Sequence, residues 1–353
     1  MLTHPNLKTL NWRRWASWIF ALFVIGVVGF YLGRALWPQG SAPVHLVIYA
    51  FSTQEEVLTQ DLIPAFQQNW QAQHEGQIEI EVLFGAAETM ASQINLGAPA
   101  DVAIFSNQQQ VNGLKVGKYI PAEAHSVLIG STPLVIVTRP GNPAGIQSFA
   151  DLAKADLDFV LVHPDPSSSG AGQWGLLAEY GSALTNGADP RAAKEQVRAI
   201  WQHVRLMAPS ARSALTLFEL GAGDFLITYE QDALLAQARG VPLEIVIPES
   251  TILAQPVAVL VEANLTRAER TVAQAFLDFL VSPEGQQILE NYHLRQPDGQ
   301  STQLPALQHG FTAENLGSWQ QAYDALIIGF WQSEIAPLLD LEPVAPLLAP
   351  GDD

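Results

Sequence analysis

The amino-acid sequence predicts an α/β protein with two doubly wound, mostly parallel sheets. Apolar, β-branched runs alternate with helical patterns over about 250 residues that follow the N-terminal region. Strands that are separated by whole helices pair in parallel, and the helices cover both faces of the sheet. The chain has 353 residues, 48% of them hydrophobic, so it is long enough to form two domains.

The predicted elements alternate along the chain in the order that such sheets require. The predicted strands are Val44–Ala50, Ile78–Phe84, Asp101–Phe105, Pro133–Thr138, Phe159–His163, Val204–Ala208, Phe225–Tyr229 and Val257–Val261. The predicted helices are Glu55–Trp70, Thr89–Leu96, Gln173–Leu184, Arg191–His203, Ala214–Leu220, Gln231–Ala238 and Arg267–Leu280. Ligands in sheets of this kind bind beyond the carboxyl ends of the strands, where the next helix begins.

An apolar stretch near the N-terminus predicts a membrane anchor. About 18 residues from Ala16 to Gly33 carry no charge, which is close to the lower limit for crossing a bilayer. Lys8, Arg13 and Arg14 precede the stretch and only Arg34 follows it closely, so the positive-inside rule places the N-terminus in the cytoplasm. The predicted localisation is a single-pass membrane protein whose binding domain is extracytoplasmic, in the periplasm or at the cell surface.

A cleaved signal peptide, and therefore a secreted protein, is the alternative for this stretch. The uncleaved anchor is favoured because the apolar stretch exceeds the usual length of about 7–15 residues, and because Pro43 follows the small residues Gly40, Ser41 and Ala42. The expected segments are a cytoplasmic end at 1–14, an anchor at 15–37 and a linker at 38–43.

The composition excludes several classes of function. The net charge of −18 argues against nucleic-acid binding, which needs a basic surface to neutralise phosphates. The sequence has no cysteine, which excludes disulfides, thiol nucleophiles, thiolate metal sites and a lipid-modified N-terminal cysteine. No cofactor and no metal site are predicted.

The run from Phe159 to Ala178 is the strongest single indication of a binding site. A strand ends at two prolines, passes through three serines and small residues, and opens a helix. A helix N-terminus offers unpaired N–H groups and a partial positive charge, and the hydroxyls of Ser167, Ser168 and Ser169 add donors. The loop contains no Lys, Arg or His, so an anion bound there would be held by dipoles and not by countercharge. A capped helix with no ligand is the alternative interpretation.

Three other strand-to-helix junctions have the same small, polar character. They are the predicted capping box Ser52-Thr53-Gln54-Glu55, the turn Gly85-Ala86-Ala87-Glu88-Thr89, and the turn Pro209-Ser210-Ala211-Arg212-Ser213. Each alone is typical of a structural cap. Together with the serine-rich loop they would surround one compact ligand, provided that the fold brings them together.

With these motifs in hand, the chain resembles the sulfate- and thiosulfate-binding receptors of ABC importers, a branch of the type II periplasmic binding proteins. The resemblance runs from about Leu46 to about Asp340. Its strongest pieces are Pro164 to Trp174, Ser210 to Ala214, Gly223 to Ala233, Ile252 to Val259, Leu280 to Gln286 and Phe311 to Leu316. The resemblance implies two α/β lobes joined by crossover strands, which close on a dehydrated oxyanion bound mainly by backbone N–H groups and hydroxyls. With the N-terminal transmembrane helix, this is the expected fold.

The expected boundaries follow from this two-lobed plan. Lobe 1 is expected to comprise 44–130 and 256–340 with the C-terminal helices, lobe 2 to comprise 131–255, and the Pro-rich, acidic residues 341–353 to form a disordered tail. The pattern of large apolar residues from Ser318 to Leu339 predicts a helix that packs against the core.

The resemblance also implies which residues bind the ligand. The family's Ser-Gly-Gly turn corresponds to Ser169, Gly170 and Ala171, and its aromatic strand-end residue is Tyr229 here in place of Trp. The expected ligand-binding residues are Ser52, Thr53, Ala87, Glu88, Thr89, Ser168, Ser169, Gly170, Ala171, Ala211, Arg212 and Tyr229.

The sequence does not decide which oxyanion binds, because the direction of the Glu88 side chain is not known from it. It stands where the family has a neutral turn, and a carboxylate that faced a dianion in a dry pocket would cost several kcal/mol. Phosphate still carries a proton at neutral pH and could donate it to this carboxylate, whereas sulfate has none. If Glu88 instead points to solvent from the first turn of its helix, sulfate is the expected ligand.

The resemblance implies a monomeric solute receptor that delivers its ligand to ABC permease subunits. The main alternatives are a receptor for phosphate or molybdate, and a membrane-tethered sensor or adaptor with the same fold. An enzyme is disfavoured, because the sequence has no HExxH pair, no Gly-x-Ser-x-Gly elbow and no phosphate-binding loop with a following Lys.

Overall fold

The computed structural model of the protein describes residues 23–28, 43–74, 76–154 and 158–339. The chain forms two compact units, Met1–Pro43 and Val44–Asp353. In the first unit, residues 23–28 are helical (α1), and the side chains of Phe23 and Ile25 are 67% and 66% exposed. None of the helices within the described ranges is both long enough and apolar enough to cross a bilayer. The predicted cytoplasmic end, most of the predicted anchor and linker, and the predicted tail lie outside the described residues.

The second unit alternates strands and helices, as the sequence predicts. Its strands are β1 (Val44–Phe51), β2 (Ile78–Gly85), β3 (Val102–Phe105), β4 (Val127–Leu128), β5 (Thr132–Thr138), β6 (Leu161–Pro164), β7 (Val204–Ala208), β8 (Phe225–Tyr229), β9 (Glu244–Val246), β10 (Ser250–Ala254), β11 (Val257–Leu260) and β12 (His309–Phe311). Its α-helices are α2 (Glu55–Val57), α3 (Ile63–Gln73), α4 (Ala87–Asn95), α5 (Gln108–Val116), α6 (Phe149–Leu152), α7 (Gly170–Thr185), α8 (Pro190–Trp201), α9 (Ala211–Glu219), α10 (Glu230–Ala238), α11 (Arg267–Leu280), α12 (Pro283–Asn291) and α13 (Trp319–Ala322). Shorter helical turns and π-helical segments are Ser52–Gln54, Leu58–Leu62, Ala313–Leu316, Tyr323–Ile335 and Ala336–Leu338.

Two sheets form the cores of two lobes. In lobe 1 the strand order is β2-β1-β3-β11-β4, and in lobe 2 it is β12-β10-β5-β8-β6-β7, with β9 beside β5. The strands β3, β5, β6, β8, β10 and β11 are buried along their whole length, which is why their sequences are apolar without alternation.

Both sheets are mixed, so the prediction of mostly parallel sheets is wrong in this respect. β5 runs antiparallel to its neighbours β8, β9 and β10, and β11 runs antiparallel to β3 and β4. β5 and β11 are the strands that follow a crossing between the lobes. The register places Val257 opposite Phe105, so β11 enters its sheet at the carboxyl end of β3 and must run the opposite way.

The chain passes between the lobes at residues 129–131, at residues 255–256 and again after α12. The N–H of Ile129 donates to Pro256 O at 3.1 Å, and the two backbone groups of Ser131 bond to those of Arg295 at 2.9 Å. The third crossing differs from the expected boundaries. β12 pairs with β10, so the chain after α12 lies on lobe 2, whereas all of 256–340 was expected in lobe 1.

The C-terminal helix packs as its apolar pattern predicts. Trp319 stacks at a tilt on Trp174 with ring centroids 4.3 Å apart, and Trp331 meets the edge of Trp201 at 5.6 Å. Ile327 is fully buried. Because α7 and α8 belong to lobe 2, this segment completes the core of that lobe.

Candidate functional site

The end of β1 supplies the first wall of a small cavity between the lobes. Ser52 and Thr53 begin a 3₁₀ turn that continues into α2, and Phe51 is its N-terminal capping residue. No side chain caps this turn, so the predicted capping box is absent. The hydroxyl of Thr53 instead donates to Asp232 Oδ2 in lobe 2 at 2.9 Å.

The N-terminus of α4 supplies the second wall. Ala86 is the capping residue and offers no side-chain oxygen, so the first N–H groups of α4 are not capped by a side chain. The N–H of Glu88 donates to Ser168 O across the lobe boundary at 3.2 Å. The carboxylate of Glu88 does not line the cavity. It accepts hydrogen bonds from Gln110 Nε2 at 2.7 Å and from Gln173 Nε2 at 2.9 Å.

The N-terminus of α7, the serine-rich loop of the sequence, supplies the third wall. Ser169 is the capping residue but makes no side-chain capping bond, and it is 3% exposed. The backbone N–H groups of Ser168 and Ser169 bond to Asp165 O, which fixes the loop. The Ser168 hydroxyl turns away and donates to Pro209 O at 2.9 Å. A side chain at Gly172 would place its Cβ 2.4 Å from a backbone oxygen, so the turn requires glycine there.

Ser106, at the end of β3, faces the third wall. Its side chain is buried, and its Oγ has no hydrogen-bond partner in the described part of the chain. A Cβ added to Gly170 would lie 1.6 Å from this Oγ, so only glycine fits at the tip of α7. Ser106 is not among the site residues predicted from the sequence, although a capping box between Asn107 and Gln110 marks this junction as a helix start.

The N-terminus of α9 supplies the fourth wall through Ser210 and Ala211. Ser210 caps the helix by accepting a hydrogen bond from the N–H of Ser213 at 3.1 Å. Arg212 does not line the cavity. Its guanidinium pairs with the carboxylate of Glu56 in lobe 1, with one nitrogen-to-oxygen distance of 2.7 Å. Burial would raise the pKa of Glu56, but the hydrogen bond and charge of Arg212 outweigh it, and the pKa is lowered.

Tyr229, at the end of β8, closes the cavity from lobe 2. Its ring meets the ring of Phe51 edge-on, with centroids 6.3 Å apart. Burial raises the pKa of Tyr229 well above its usual range, so the phenol stays protonated. Tyr229 Oη lies close to Ser106, yet neither hydroxyl has a hydrogen-bond partner of acceptable geometry in the part of the chain that is described. Two buried, neutral hydroxyls therefore lie side by side at the cavity, and no other group of the described residues engages either of them.

These walls enclose a space for one compact ligand. The lining residues are Phe51, Ser52, Thr53, Gly85, Ala86, Ala87, Ser106, Ser169, Gly170, Ala171, Ser210, Ala211 and Tyr229. The cavity volume is about 10 Å³, measured as the space that the centre of a water-sized sphere can occupy. A cavity of this size is close to the minimum that holds one water molecule. None of these lining residues carries a charged side chain.

Eight of the twelve residues expected from the sequence line this cavity. They are Ser52, Thr53, Ala87, Ser169, Gly170, Ala171, Ala211 and Tyr229. Glu88, Thr89, Ser168 and Arg212 are not among the lining residues. Glu88 and Arg212 are held elsewhere by hydrogen bonds that reach across the lobe boundary, so partners distant in sequence decide where their charges lie.

Two sets of hydrogen bonds join the lobes on either side of the cavity. On one side Thr53 bonds to Asp232, and Gln54 Nε2 donates to Gln231 Oε1 at 3.0 Å. On the other side Asn107 Nδ2 donates to Gln173 Oε1 at 2.9 Å, and Trp174 Nε1 donates to Ser106 O at 2.9 Å. In each set, two consecutive residues of one lobe bind two consecutive residues of the other. The structure therefore represents a closed arrangement of the lobes.

Asp232, which accepts a hydrogen bond from the lining residue Thr53, is fully buried. Burial raises the pKa of Asp232 to about 6, and the hydrogen bond from Thr53 and the charge of Arg212 offset only part of this effect. Its Oδ1 has no hydrogen-bond partner among the described residues. The described residues contain no group of three or more His, Asp or Glu side chains that could hold a metal ion.

Comparisons with known proteins agree with this architecture. Residues 46–295 match the family model described as bacterial extracellular solute-binding protein. The sulfate-binding protein of Escherichia coli is 31% identical over 274 residues, which cover 73% of this chain and 82% of that protein. The thiosulfate-binding protein of Pseudomonas aeruginosa is 30% identical over 272 residues, which cover 73% of this chain and 81% of that protein.

A solved structure has the same fold. The sulfate-binding protein SubI from Mycobacterium tuberculosis superposes with a TM-score of 0.72 and 23% sequence identity, covering 80% of this chain and 98% of that one. The structure therefore has the two-lobed α/β fold of periplasmic binding proteins. On the family model and on these relatives, the chain belongs to the family of bacterial extracellular solute-binding proteins that includes the sulfate- and thiosulfate-binding proteins.

Proposed function

We propose that this protein captures sulfate in the cavity between its lobes and delivers it to an ABC importer. The observation that carries the proposal is the lining of the cavity: helix N-termini and free hydroxyls surround a space of about 10 Å³, and no charged side chain faces it. Such a site binds an anion through oriented dipoles and charge-assisted hydrogen bonds. The names of the relatives in Escherichia coli and Pseudomonas aeruginosa support an oxyanion of sulfur.

The position of Glu88 supports sulfate over hydrogenphosphate. Its carboxylate is engaged by Gln110 and Gln173 and is not part of the cavity lining. A ligand that needs to donate a proton to a carboxylate finds no acceptor of that kind in the lining. A fully ionised tetrahedral dianion needs only donors, and the first residues of α4, α7 and α9 offer them.

Thiosulfate and molybdate are also tetrahedral dianions that need only donors, so both are compared with sulfate in the test of this proposal. The expected ligand-binding residues are the eight predicted ones that line the cavity, with Ser106 and Ser210 in addition. The family description is that of a solute-binding protein, which supports a binding role and not catalysis. Closure of the two lobes would present a surface to permease subunits.

Calorimetric titration tests this function. The full chain, purified in a mild detergent, is titrated with sulfate, and then with thiosulfate, hydrogenphosphate and molybdate at fixed pH and salt. Binding of one sulfate per chain, with weaker binding of the other three, is the expected result. No heat with any of the four anions would refute the proposal and favour the membrane-tethered sensor or adaptor.

We also propose that the N-terminal segment anchors the protein to the membrane, with the binding unit on the extracytoplasmic side. The uncharged stretch from Ala16 to Gly33 supports this, as do the exposed apolar side chains of residues 23–28. Mass spectrometry of the protein recovered from membranes should give the full-length mass. A mass that lacks roughly the first 40 residues, found in the soluble fraction, would instead indicate a cleaved signal peptide.

A further inference from the structure

Residue Asn107, through its side-chain amide and its backbone N–H, forms a closed ring of hydrogen bonds beside the cavity with the side chains of Gln173, Glu88 and Gln110. Asn107 Nδ2 donates to Gln173 Oε1 at 2.9 Å, and Gln173 Nε2 donates to Glu88 Oε1 at 2.9 Å. Gln110 Nε2 donates to the same Glu88 oxygen at 2.7 Å, and Gln110 Oε1 accepts from the N–H of Asn107 at 3.1 Å. Such a ring fixes the orientation of each side-chain amide, because exchanging the positions of its nitrogen and oxygen would break a hydrogen bond.

Gln173 is the member of the ring that comes from lobe 2, whereas Glu88, Asn107 and Gln110 belong to lobe 1. Its side chain is fully buried. Its amide nitrogen also donates to Pro166 O at 3.2 Å, so both N–H groups and the oxygen are used. Gln173 therefore completes the ring when the lobes are closed, and its donors leave the ring when they open.

Glu88 stands one residue from the cavity wall. Ala86 and Ala87 line the cavity, and Glu88 is the next residue in the first turn of α4. Its carboxylate is the only charge on this turn, and two amide donors hold it away from the lining. A carboxylate that faced the cavity would repel a dianion and would accept the O–H of an anion that still carries a proton.

We propose that Gln173 determines which oxyanions the site accepts, because its amide fixes the Glu88 carboxylate outside the cavity when the lobes close. This inference rests on the proposed function. Gln173 is a positioning residue and does not touch the ligand. With Gln173 in place the closed site favours anions without a proton, such as sulfate. Without it, Glu88 keeps only the donor from Gln110 and can turn towards the ligand.

The variant Gln173→Met tests this inference, since it keeps the length of the side chain and removes the hydrogen bonds. Titrations of the full chain at pH 8 give Kd values for sulfate, for selenate as a second proton-free dianion, and for hydrogenphosphate. The ratio of Kd for hydrogenphosphate to Kd for sulfate should fall at least tenfold in Gln173→Met. The Kd for selenate should change by about the same factor as the Kd for sulfate.

Gln54→Met is the matched control, because Gln54 makes the corresponding bond to Gln231 on the other side of the cavity. It removes an amide contact between the lobes but leaves Glu88 untouched. It should weaken sulfate and hydrogenphosphate by the same factor and leave their ratio unchanged. A change of ratio in this control would mean that loss of any lobe contact alters selectivity, which would overturn the inference.

The double variant Gln173→Met/Glu88→Gln separates the charge from the contact. It should restore the wild-type ratio, since the amide that replaces the Glu88 carboxylate carries no charge to repel a dianion. The inference fails if the ratio of Kd for hydrogenphosphate to Kd for sulfate stays shifted in the double variant. It also fails if this ratio does not shift in Gln173→Met although the wild type binds sulfate.

If the wild type binds no oxyanion at all, it is the proposed function that fails. Gln173→Leu, which also removes the amide and keeps an apolar side chain of similar volume, gives the same readout should Gln173→Met not fold.

Discussion

Gly170 and Ser106 approach each other so closely across the lobe boundary that a methyl group on Gly170 would lie 1.6 Å from Ser106 Oγ. Gly170 opens α7 in lobe 2, and Ser106 follows β3 in lobe 1. Closure of the lobes therefore depends on Gly170, because the absence of a side chain there leaves room for Ser106 of the opposite lobe. This steric role is separate from any role of the Gly170 N–H group in binding.

Gly170→Ala should prevent full closure of the lobes and lower sulfate affinity at least 100-fold. The added Cβ would also lie 2.7 Å from Ser106 Cβ, so rotation of the Ser106 side chain cannot remove the clash. Calorimetry measures the loss, and small-angle scattering with and without sulfate measures closure. Ala171→Gly is the control, and it should bind sulfate within a few-fold of the wild type. If Gly170→Ala binds normally, the closed arrangement described here is not the ligand-bound one.

Tyr229→Phe should weaken sulfate binding about 10- to 100-fold, the effect of removing one hydrogen bond to a charged group, worth about 1.5–3 kcal/mol. The Oη of Tyr229 has no hydrogen-bond partner of acceptable geometry among the described residues. The free energy of unfolding without sulfate should therefore not fall. Urea denaturation with and without sulfate distinguishes the two effects. A variant that is destabilised equally in both conditions would show that the hydroxyl has a structural role only.

Arg212→Met should lower sulfate affinity by less than about tenfold, because the guanidinium pairs with Glu56 and does not line the cavity. The pair is about a fifth exposed on each side, so its loss should cost only about 1 kcal/mol at neutral pH. The pKa of Glu56 is lowered in the folded protein, so this contribution is present at neutral pH and is lost as the pH falls and Glu56 becomes protonated. A loss of affinity above 100-fold would place Arg212 on the ligand.

Asp232→Asn should remove a pH dependence of stability between about pH 4 and pH 6. The pKa of Asp232 rises from 3.8 to about 6 on folding, because burial disfavours its charge. The folded state then holds a proton that the unfolded state has released, so stability falls as the pH rises through this window, by about 3 kcal/mol at 1.36 kcal/mol per pKa unit. Arg212, Arg239 and Glu56 are the other charged groups that act on Asp232.

Urea denaturation of both proteins at several pH values measures this contribution. The other titrating groups are common to both proteins. Their contributions therefore cancel in the difference between the free energies of unfolding of wild type and Asp232→Asn. A difference that does not change between pH 4 and pH 6 would mean that Asp232 keeps its ordinary pKa in the folded protein.

The strand-to-helix junctions could be predicted from the sequence because their signals are local. The β-branched strand before the serine-rich loop, and the small residues that open α7, lie within twenty positions of each other. The helix Gln108–Val116 was not predicted, because its sequence is mostly polar and has no clear apolar stripe. Ser106 was missed with it, since a residue between a strand and an unrecognised helix gives no sign of a binding site.

Contacts distant in sequence account for most of the remaining differences. Ser52 was expected to cap its helix within a local capping box, but no side chain caps that turn, and the hydroxyl of the neighbouring Thr53 binds Asp232, 179 positions away. The direction of Glu88 depends on Gln173, 85 positions away. The antiparallel strands β5 and β11 arise from the crossings between the lobes, which no local pattern reveals. Such pairings are set by the tertiary fold, so the sequence alone left them open.

The uncharged lining of the cavity has a consequence for the dependence of capture on ionic strength. The whole chain carries a net charge of −18, so its long-range field repels a dianion, and the binding groups act only at hydrogen-bond distance. Added inert salt screens that repulsion over a Debye length of about 10 Å at 0.1 M. The association rate for sulfate should therefore rise with salt while the dissociation rate stays nearly constant. A receptor that attracts an anion with basic side chains would show the opposite trend.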